Sequence, residues 1–268
     1  MKTSLVITTY NWKEALDLVL RSVARQSELP DEVIVADDGS RADTAEVANA
    51  WKERLSVPLI YVWQEDIGFR LARSRNRAIA AASGEYIIMI DGDMVLHRDF
   101  VADHKRAAMP GYFIQGVRLI TREETGKKML AEGVLDLSFF SRGVVRRRHA
   151  IRNRLLSWLV HQHVRTDQQS IRGCNQAFWK ADLLKINGFD ERMQGYGKED
   201  NELVARLCNA GIRRRNLKFG GLAIHLYHVQ RKYPPGNPND RLLMQTLQNK
   251  LTWCEHGLDQ HLHEAVSK

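Results

Sequence analysis

An α/β fold, with a mostly parallel sheet flanked by helices, is predicted from three features of this 268-residue sequence. Apolar, β-rich runs alternate regularly with helical patterns through the first hundred residues, and this βαβα order implies a parallel sheet covered on both faces. The run Tyr86–Asp91 is nearly all apolar, as a strand buried on both sides is. Three runs end in Thr8-Thr9-Tyr10, Asp37-Asp38-Gly39-Ser40 and Asp91-Gly92-Asp93. In such sheets ligands bind at the carboxyl ends of the strands, where these polar loops fall.

In order, the pattern predicts a strand over Ser4–Thr8, a helix over Trp12–Arg25 and a strand over Glu32–Asp37. A helix over Ala42–Arg54, a strand over Leu59–Trp63, a helix over Leu71–Ala82 and the strand Tyr86–Asp91 follow. Beyond Asp99 the periodicity weakens, with strands expected around Tyr112–Ile120 and a basic helical region through about Val160. Helices are again expected over Ala177–Ile186 and Asn201–Ala210, separated by a Gly-rich turn. The breaker cluster Pro234-Pro235-Gly236-Asn237-Pro238 marks a loop before a final helix from about Arg241. With no Gly-, Ser- or Pro-rich linker and no repeat, one continuous domain is the economical description.

A content of 44% hydrophobic and 27% charged residues is that of a globular rather than a disordered or fibrous chain. Cys174, Cys208 and Cys254 are odd in number, widely spaced and without a CxxC pattern, which argues against a disulfide framework or zinc knuckle and favours a reducing compartment. The amino terminus reads as a first strand rather than a signal segment, and no run approaches the roughly 18 apolar residues of a membrane span. The net charge of +8 is concentrated: Ser141–Arg165 holds seven arginines (142, 146, 147, 148, 152, 154 and 165) and no acid. So local a charge suggests one anionic partner surface rather than nucleic acid.

Asp91-Gly92-Asp93 sets two carboxylates on a loop at the ligand edge of the sheet, which suits a divalent metal that a diphosphate would help coordinate. Asp-Gly is also a common turn dipeptide. Asp37-Asp38-Gly39-Ser40 repeats the device; its acids would bond ribose hydroxyls or a base N–H, or Ser40 or Asp43 would cap the next helix. Arg70, Arg73 and Arg75 at the start of a helix oppose its dipole, and an anionic ligand would explain them.

Val6-Ile7-Thr8-Thr9-Tyr10-Asn11, Val35–Ser40 and Met89–Asp93 resemble, in order and spacing, family 2 glycosyltransferases of the GT-A (Rossmann-like) fold. Gly173–Trp179, Gly188-Phe189-Asp190-Glu191 and Gly195-Tyr196-Gly197-Lys198-Glu199-Asp200 are similar to the galactosyltransferase-type carboxyl half of bacterial chondroitin-polymerase-like and lipopolysaccharide-core enzymes. The resemblance implies a nucleotide-sugar-binding half, 1–110, continuous with an acceptor-binding and catalytic-base half, 111–268. It implies that Thr8, Tyr10 and Asp38 hold the nucleobase end, that Arg70 or Arg73 lies near base and phosphates, and that Asp91 and Gly92 lie near the ribose. Asp93 would ligate the metal, Mn²⁺ or Mg²⁺, with a late histidine; His225 and His228 both qualify, and His228 is the better match. Asp200 would be the catalytic base, with Glu199, Tyr196 and Trp179 toward the acceptor; Tyr196 stands where the family usually has Trp.

The implied reaction is inverting transfer of a hexosyl or N-acetylhexosaminyl unit from a nucleotide diphosphate sugar, UDP-linked by expectation, to a glycan hydroxyl in lipopolysaccharide or other surface polysaccharide synthesis. The segment 142–165 would bind an anionic membrane surface or a phosphorylated or lipid-linked acceptor, or form a solvated hairpin or protomer interface. A cytoplasmic protein, peripheral at the inner membrane, is expected. Two alternatives remain: a nucleotide-sugar- or nucleic-acid-binding protein without transfer activity, which leaves Glu199-Asp200 without a task, and a nucleotidyltransferase, against which the absence of a Gly-rich phosphate loop after the first strand counts.

Overall fold

The computed structural model describes residues 1–167, 170–229 and 233–263; the end of the expected second half, 264–268, lies outside them. The first elements follow the expected order: β1 (Thr3–Thr9), α1 (Lys13–Ala24), β2 (Glu32–Asp37), α2 (Ala42–Lys52), β3 (Leu59–Trp63), α3 (Leu71–Ala81) and β4 (Tyr86–Asp91). Then come β5 (Met94–Leu96), α4 (Phe100–Ala107), β6 (Tyr112–Gly116), β7 (Arg118–Thr121), α5 (Glu123–Glu132), β8 (Val144–Val145), a 3₁₀ turn at Arg147–Ala150, α6 (Arg154–His161) and β9 (Val164–Arg165). The chain continues through β10 (Asn175–Trp179), α7 (Lys180–Lys185), α8 (Glu199–Asn209), β11 (Arg213–Leu217), β12 (Ala223–His225), α9 (Pro238–Gln248) and α10 (Asp259–Leu262).

The large sheet has the order β3-β2-β1-β4-β10-β6-β11-β9, and a small one has the order β5-β12-β7-β8. β1 to β4 are parallel, whereas β10 runs antiparallel to both β4 and β6. Alternate residues of the central strands enter two cores. Leu5, Ile7, Val33, Val35, Ile88 and Ile90 pack with Leu16, Val19 and Leu20 of α1, while Val6, Ile34, Ile87 and Met89 pack with Ile79 of α3 and Leu203 of α8. Each such side chain removed from water contributes about 1.5–3 kcal/mol. Burial on both faces is why these strands read as continuous apolar runs.

Two expectations are corrected. The helix expected over Ala177–Ile186 is a strand followed by only six helical residues, because Ala177 and Phe178 enter opposite cores. A short apolar run cannot by itself distinguish these states. The basic region before Val160 is not one helix: α6 spans eight residues, started by Asn153 Oδ1 accepting the Leu156 N–H, and it buries no residue. β11, of sequence Arg-Arg-Arg-Asn-Leu, carries no apolar signal. It forms because β6 needs a parallel neighbour and because the guanidinium groups of Arg213 and Arg215 lie over the Tyr112 ring at 5.0 and 4.2 Å.

Behind the sheet, Glu202 and Arg206 form a fully buried bidentate pair at 2.6 and 2.7 Å along one face of α8, and Thr246 Oγ1 donates to Glu202 Oε1 at 2.9 Å. Arg206 Nη1 also donates to the Ile186 carbonyl. Glu202→Ala strands a buried cation, so chemical denaturation is expected to show a loss of about 3–5 kcal/mol; a loss under 1 kcal/mol would mean that water reaches Arg206.

Candidate active site

The loops at the carboxyl edge of the parallel strands are tied to one another before they touch any ligand. The Asn11 N–H donates to Ser40 Oγ at 2.7 Å, and the Arg41 N–H donates to Asn11 Oδ1 at 3.0 Å. Ser40 is thus a loop clasp; Arg41 occupies the cap position of α2 with no side-chain cap bond. Asp37 is spent on structure, accepting from the Ser40 N–H and the Tyr61 hydroxyl. Asp38 accepts from Gln64 Nε2 at 2.5 Å and from the Arg70 N–H at 3.0 Å, and burial pushes its carboxyl above the usual range. Gly39, at φ +97°, lets the backbone approach Asp66, where a Cβ would lie 2.6 Å from Asp66 Cα. Tyr10 reaches the same residue, its hydroxyl donating to Asp66 Oδ2 at 3.0 Å.

Of the three arginines opening α3, the one that enters the cleft is Arg75. Its guanidinium, 1% exposed, donates to Asp200 Oδ1 at 2.7 Å and to Asp91 Oδ1 at 3.2 Å, and lies 3.6 Å from Glu199. The side chains of Arg70 and Arg73 instead contact the loop that follows β3. Arg70 donates to the Glu65 carbonyl, and Arg73 donates to Gln64 Oε1 at 3.1 Å and lies 3.7 Å from Glu191. The signal that separates them is helical spacing: Ala72, Arg75 and Ile79 share the buried stripe of α3.

Asp91 also accepts from Thr8 Oγ1 at 3.2 Å. Gly92 rests against β1, where a Cβ would sit 2.6 Å from the Thr8 carbonyl oxygen, so the turn has no room for a larger residue. Asp93 then points to the end of β12. Its Oδ2 lies 3.3 Å from His225 Nε2 and 3.2 Å from His228 Nε2, while its Oδ1 is buried without a hydrogen-bond partner among the described residues. The Leu226 N–H donates to the Asp93 carbonyl at 2.9 Å and fixes that approach. Burial pushes the His225 imidazole down to about 4, leaving it neutral with a lone pair to offer. One carboxylate and two imidazoles within ligand reach of one another, with a buried oxygen unpaired, fit a divalent metal ion. Both histidines are brought to Asp93, including His225, the weaker match from sequence.

Glu199 and Asp200 begin α8. The cap position is Lys198, at φ +77°, so Asp200 is not the cap. Asp200 Oδ2 accepts the Gly173 N–H at 2.7 Å, and Gly173 must lack a Cβ, which would collide with this carboxylate. Glu199 is raised to about 7 by burial and by the charge of Asp200. Beside them Gly195-Tyr196-Gly197 is held by the Gly195 N–H donating to the Phe69 carbonyl and by Asn237 Nδ2 donating to the Tyr196 carbonyl. The Tyr196 and Phe69 rings meet edge to face, 6.5 Å apart.

Together these groups line an open cleft of about 570 Å³ that includes Thr8, Tyr10, Asp38, Gly92, Tyr196 and both acidic clusters. Trp179 is not among them, which corrects its placement near the acceptor. It pairs with Tyr86 at the opposite end of β4 and donates from Nε1 to the Met109 carbonyl. Antiparallel β10 presents its first residues, not its last, to the site. Arg118 and Arg172, which sequence reasoning passed over, do line the cleft.

Fold and cleft define a GT-A architecture, and comparison with known proteins agrees. The chain belongs to glycosyl transferase family 2, whose model matches residues 4–177, and residues 153–230 match the model described as the N-terminal domain of galactosyltransferase. It is 27% identical to chondroitin synthase of Escherichia coli over 277 residues, covering 93% of this chain and 38% of that relative. It thus spans about a third of the length of the chondroitin synthases that it matches. Among solved structures, Staphylococcus aureus TarS 1-349 in complex with UDP-GlcNAc aligns with a TM-score of 0.62 at 17% identity, covering 99% of this chain and 72% of that one. The mannosyltransferase PcManGT from Pyrobaculum calidifontis, in complex with GDP-Man and Mn²⁺, aligns at 0.57 and 17%, covering 99% and 73%. At this identity these likenesses bear on the fold.

The raised Glu199 carboxyl gives a pH test. Its folded-state value lies above the ordinary 4.5, so folding binds a proton there, and the stability cost is absent below about pH 4.5 and complete above about pH 7. Glu199→Gln is expected to leave the melting temperature near wild type at pH 5 and to raise it by about 2–4 °C at pH 8. Equal shifts at both pH values would show that Glu199 is not held protonated.

Proposed function

We propose that this protein is an inverting, metal-dependent glycosyltransferase that moves a hexosyl or N-acetylhexosaminyl unit from a UDP-sugar to a glycan hydroxyl. The observation that carries the reading is the convergence, in one cleft, of the Asp93–His225–His228 cluster and the Glu199–Asp200 pair, joined through Arg75. Residues 1–110 supply the nucleotide-sugar side, with Thr8, Tyr10 and Asp38 against the nucleoside and Asp91 and Gly92 near the ribose. Residues 111–268 supply the acceptor and base. Asp93, His228 and His225 would hold Mn²⁺ or Mg²⁺, which when bound neutralises charge on the departing diphosphate.

Asp200 accepts the proton of the acceptor hydroxyl as its oxygen bonds to the anomeric carbon and the bond from that carbon to the phosphate oxygen breaks. Both carboxylate oxygens are oriented, by Arg75 and by the Gly173 N–H, and each keeps a lone pair for the proton. Glu199, its carboxyl raised toward neutrality by burial and by Asp200, bonds an acceptor hydroxyl, and Tyr196 stacks on the acceptor ring. Relatives named chondroitin synthase and hyaluronan synthase support a role in polysaccharide synthesis, and lipopolysaccharide or another surface polysaccharide is the product class that we propose.

The test is nucleotide release from UDP-, GDP- and dTDP-sugars with and without Mn²⁺. Turnover of a UDP-sugar is expected to disappear with chelator or Asp93→Ala. Asp200→Asn is expected to lower kcat by about 100-fold to 10,000-fold with UDP binding retained. Absence of UDP binding under every metal would sink the reading.

The same reading places the protein in the cytoplasm, peripheral at the inner membrane, on an anionic lipid surface bound through 142–165. No helix among the described residues is long and apolar enough to cross a membrane. Support comes from the exposed Phe140, Leu155, Trp158 and Leu159 beside the exposed Arg142, Arg147, Arg148 and Arg154. Arg152 and Arg165, in contrast, pair with Asp103 and Asp167. Vesicles containing phosphatidylglycerol are expected to sediment the protein at low salt, and Arg147→Ala/Arg148→Ala/Trp158→Ser to weaken this by about tenfold. Equal binding to neutral phosphatidylcholine vesicles would contradict it.

A further inference from the structure

Arg118, at the start of β7, and Arg172, just before β10, face the cleft from the side opposite the nucleoside loops. The strand order explains why. Thr8 lies at the end of β1, and Asp38 and Gln64 follow β2 and β3, whereas β10 and β6 lie beyond β4 on the other flank and Arg118 comes two residues after β6, on β7 of the small sheet. Between the flanks stand Asp93 and Asp200. Arg118 Nη1 lies 3.5 Å from the sulfur of Cys174, the neighbour of the Gly173 that bonds Asp200.

The two arginines are built into place. Gln115 grips the backbone of Arg172 from both sides, its Nε2 donating to the Arg172 carbonyl at 2.9 Å and its Oε1 accepting the Arg172 N–H at 3.3 Å. His149 Nδ1 contacts the Arg118 carbonyl at 2.8 Å and draws the 3₁₀ turn, with Arg146 before it, against β7. Burial, together with the neighbouring charges of Arg118 and Arg146, holds the Arg172 guanidinium below its ordinary value. Neither Arg118, Arg146 nor Arg172 has a carboxylate within ion-pair distance among the described residues, and Arg118 Nε is buried without a hydrogen-bond partner. Arg75 and Arg206, which are fully buried, are by contrast paired with carboxylates.

Like charges gathered beside a reaction centre, with the Asp93 carboxylate near Arg118 but beyond ion-pair distance, are stabilised by an anion that arrives with a ligand. We propose that Arg118 and Arg172, with Arg146 at the rim, form a subsite for an acidic substituent, a carboxylate or phosphate ester, on the acceptor sugar. The proposal rests on the transferase reading and adds the acceptor's chemical class: an acidic glycan rather than a neutral one. The flank sets the pair apart from the donor's nucleoside loops, which stand on the far side of Asp93, and the titrations below separate an acceptor anion from the donor diphosphate.

The experiment is calorimetric titration of the full chain, saturated with UDP and Mn²⁺, with glucose 6-phosphate, glucuronate and glucose as probes, repeated without UDP. At least one acidic probe is expected to bind about tenfold or more tightly than glucose, and which one does so separates phosphate ester from carboxylate. Arg172→Gln and Arg118→Gln are each expected to reduce that preference by about fivefold or more, with UDP affinity within about threefold of wild type. Arg172→Gln is the safer variant for folding, because its anchors are backbone groups.

Equal binding of the three probes would overturn the proposal. So would a loss of UDP affinity of about tenfold in the variants with the acidic preference unchanged, which would assign the cluster to the donor diphosphate. Failure of wild type to bind UDP would instead count against the transferase reading, and the titrations without UDP would then judge the acidic subsite alone.

Discussion

A single buried guanidinium facing three carboxylates holds the cleft together. Burial opposes the charge on Arg75, yet Asp200, Asp91 and Glu199 more than offset it and raise its basicity above the ordinary value. The converse holds as well. Without Arg75 the end of β4 and the start of α8 would bring like charges together in a poorly solvated space, so the two halves of the sheet edge could not close on each other. The Arg75 guanidinium also lies over the Phe189 ring at 5.1 Å, which ties the pair to the core beneath α8. Because Arg75 is fixed on the second turn of α3, the helix that follows β3 sets the distance between the two acidic groups.

The small sheet has a different task. β12 runs antiparallel to β5, which directly follows Asp93, so the chain returns from more than a hundred residues away and sets two imidazoles on that carboxylate. Thr121 of β7 donates to the His225 carbonyl at 3.0 Å, and Trp12 meets the His228 ring edge-on at 6.0 Å. The histidines are therefore oriented by backbone and aromatic contacts as well as by each other, their ring centres 5.0 Å apart. Glycine serves the same end where the backbone must be thin: Gly92 lies on the Thr8 carbonyl and Gly173 on the Asp200 carboxylate.

Charge is divided across the cleft. Acidic groups gather along β4 and α8, while Arg118 and Arg172 stand on the β6 and β10 flank. The arginine-rich segment is divided too. Arg152 and Arg165 serve the fold, and Arg147, Arg148 and Arg154 are left to solvent next to an apolar surface on which Phe140 is 83% exposed. Neither division could be read from a sum of charges, since ion pairing and exposure depend on what packs nearby.

The sequence by itself determined the parallel half. Strands buried on both faces are continuous apolar runs, helices between them have a different period, and the residues that end β1, β2 and β4 fall at one edge because parallel strands all point the same way. Thr8, Asp38, Asp91 and Asp93 were legible for that reason, whereas Glu199 and Asp200, at the start of α8, were legible only through the family resemblance of the glycine-rich stretch before them. Tertiary structure decided the rest. Strand direction placed Gly173 at the site and Trp179 at the far end of β4, and a short apolar run such as Ala177–Phe178 carries no sign of direction or state. It also chose Arg75 over Arg70 and Arg73, and seated His225 beside His228. These outcomes rest on contacts between segments distant in sequence, such as the 125 positions that separate Arg75 from Asp200, and no local pattern encodes a partner that far away.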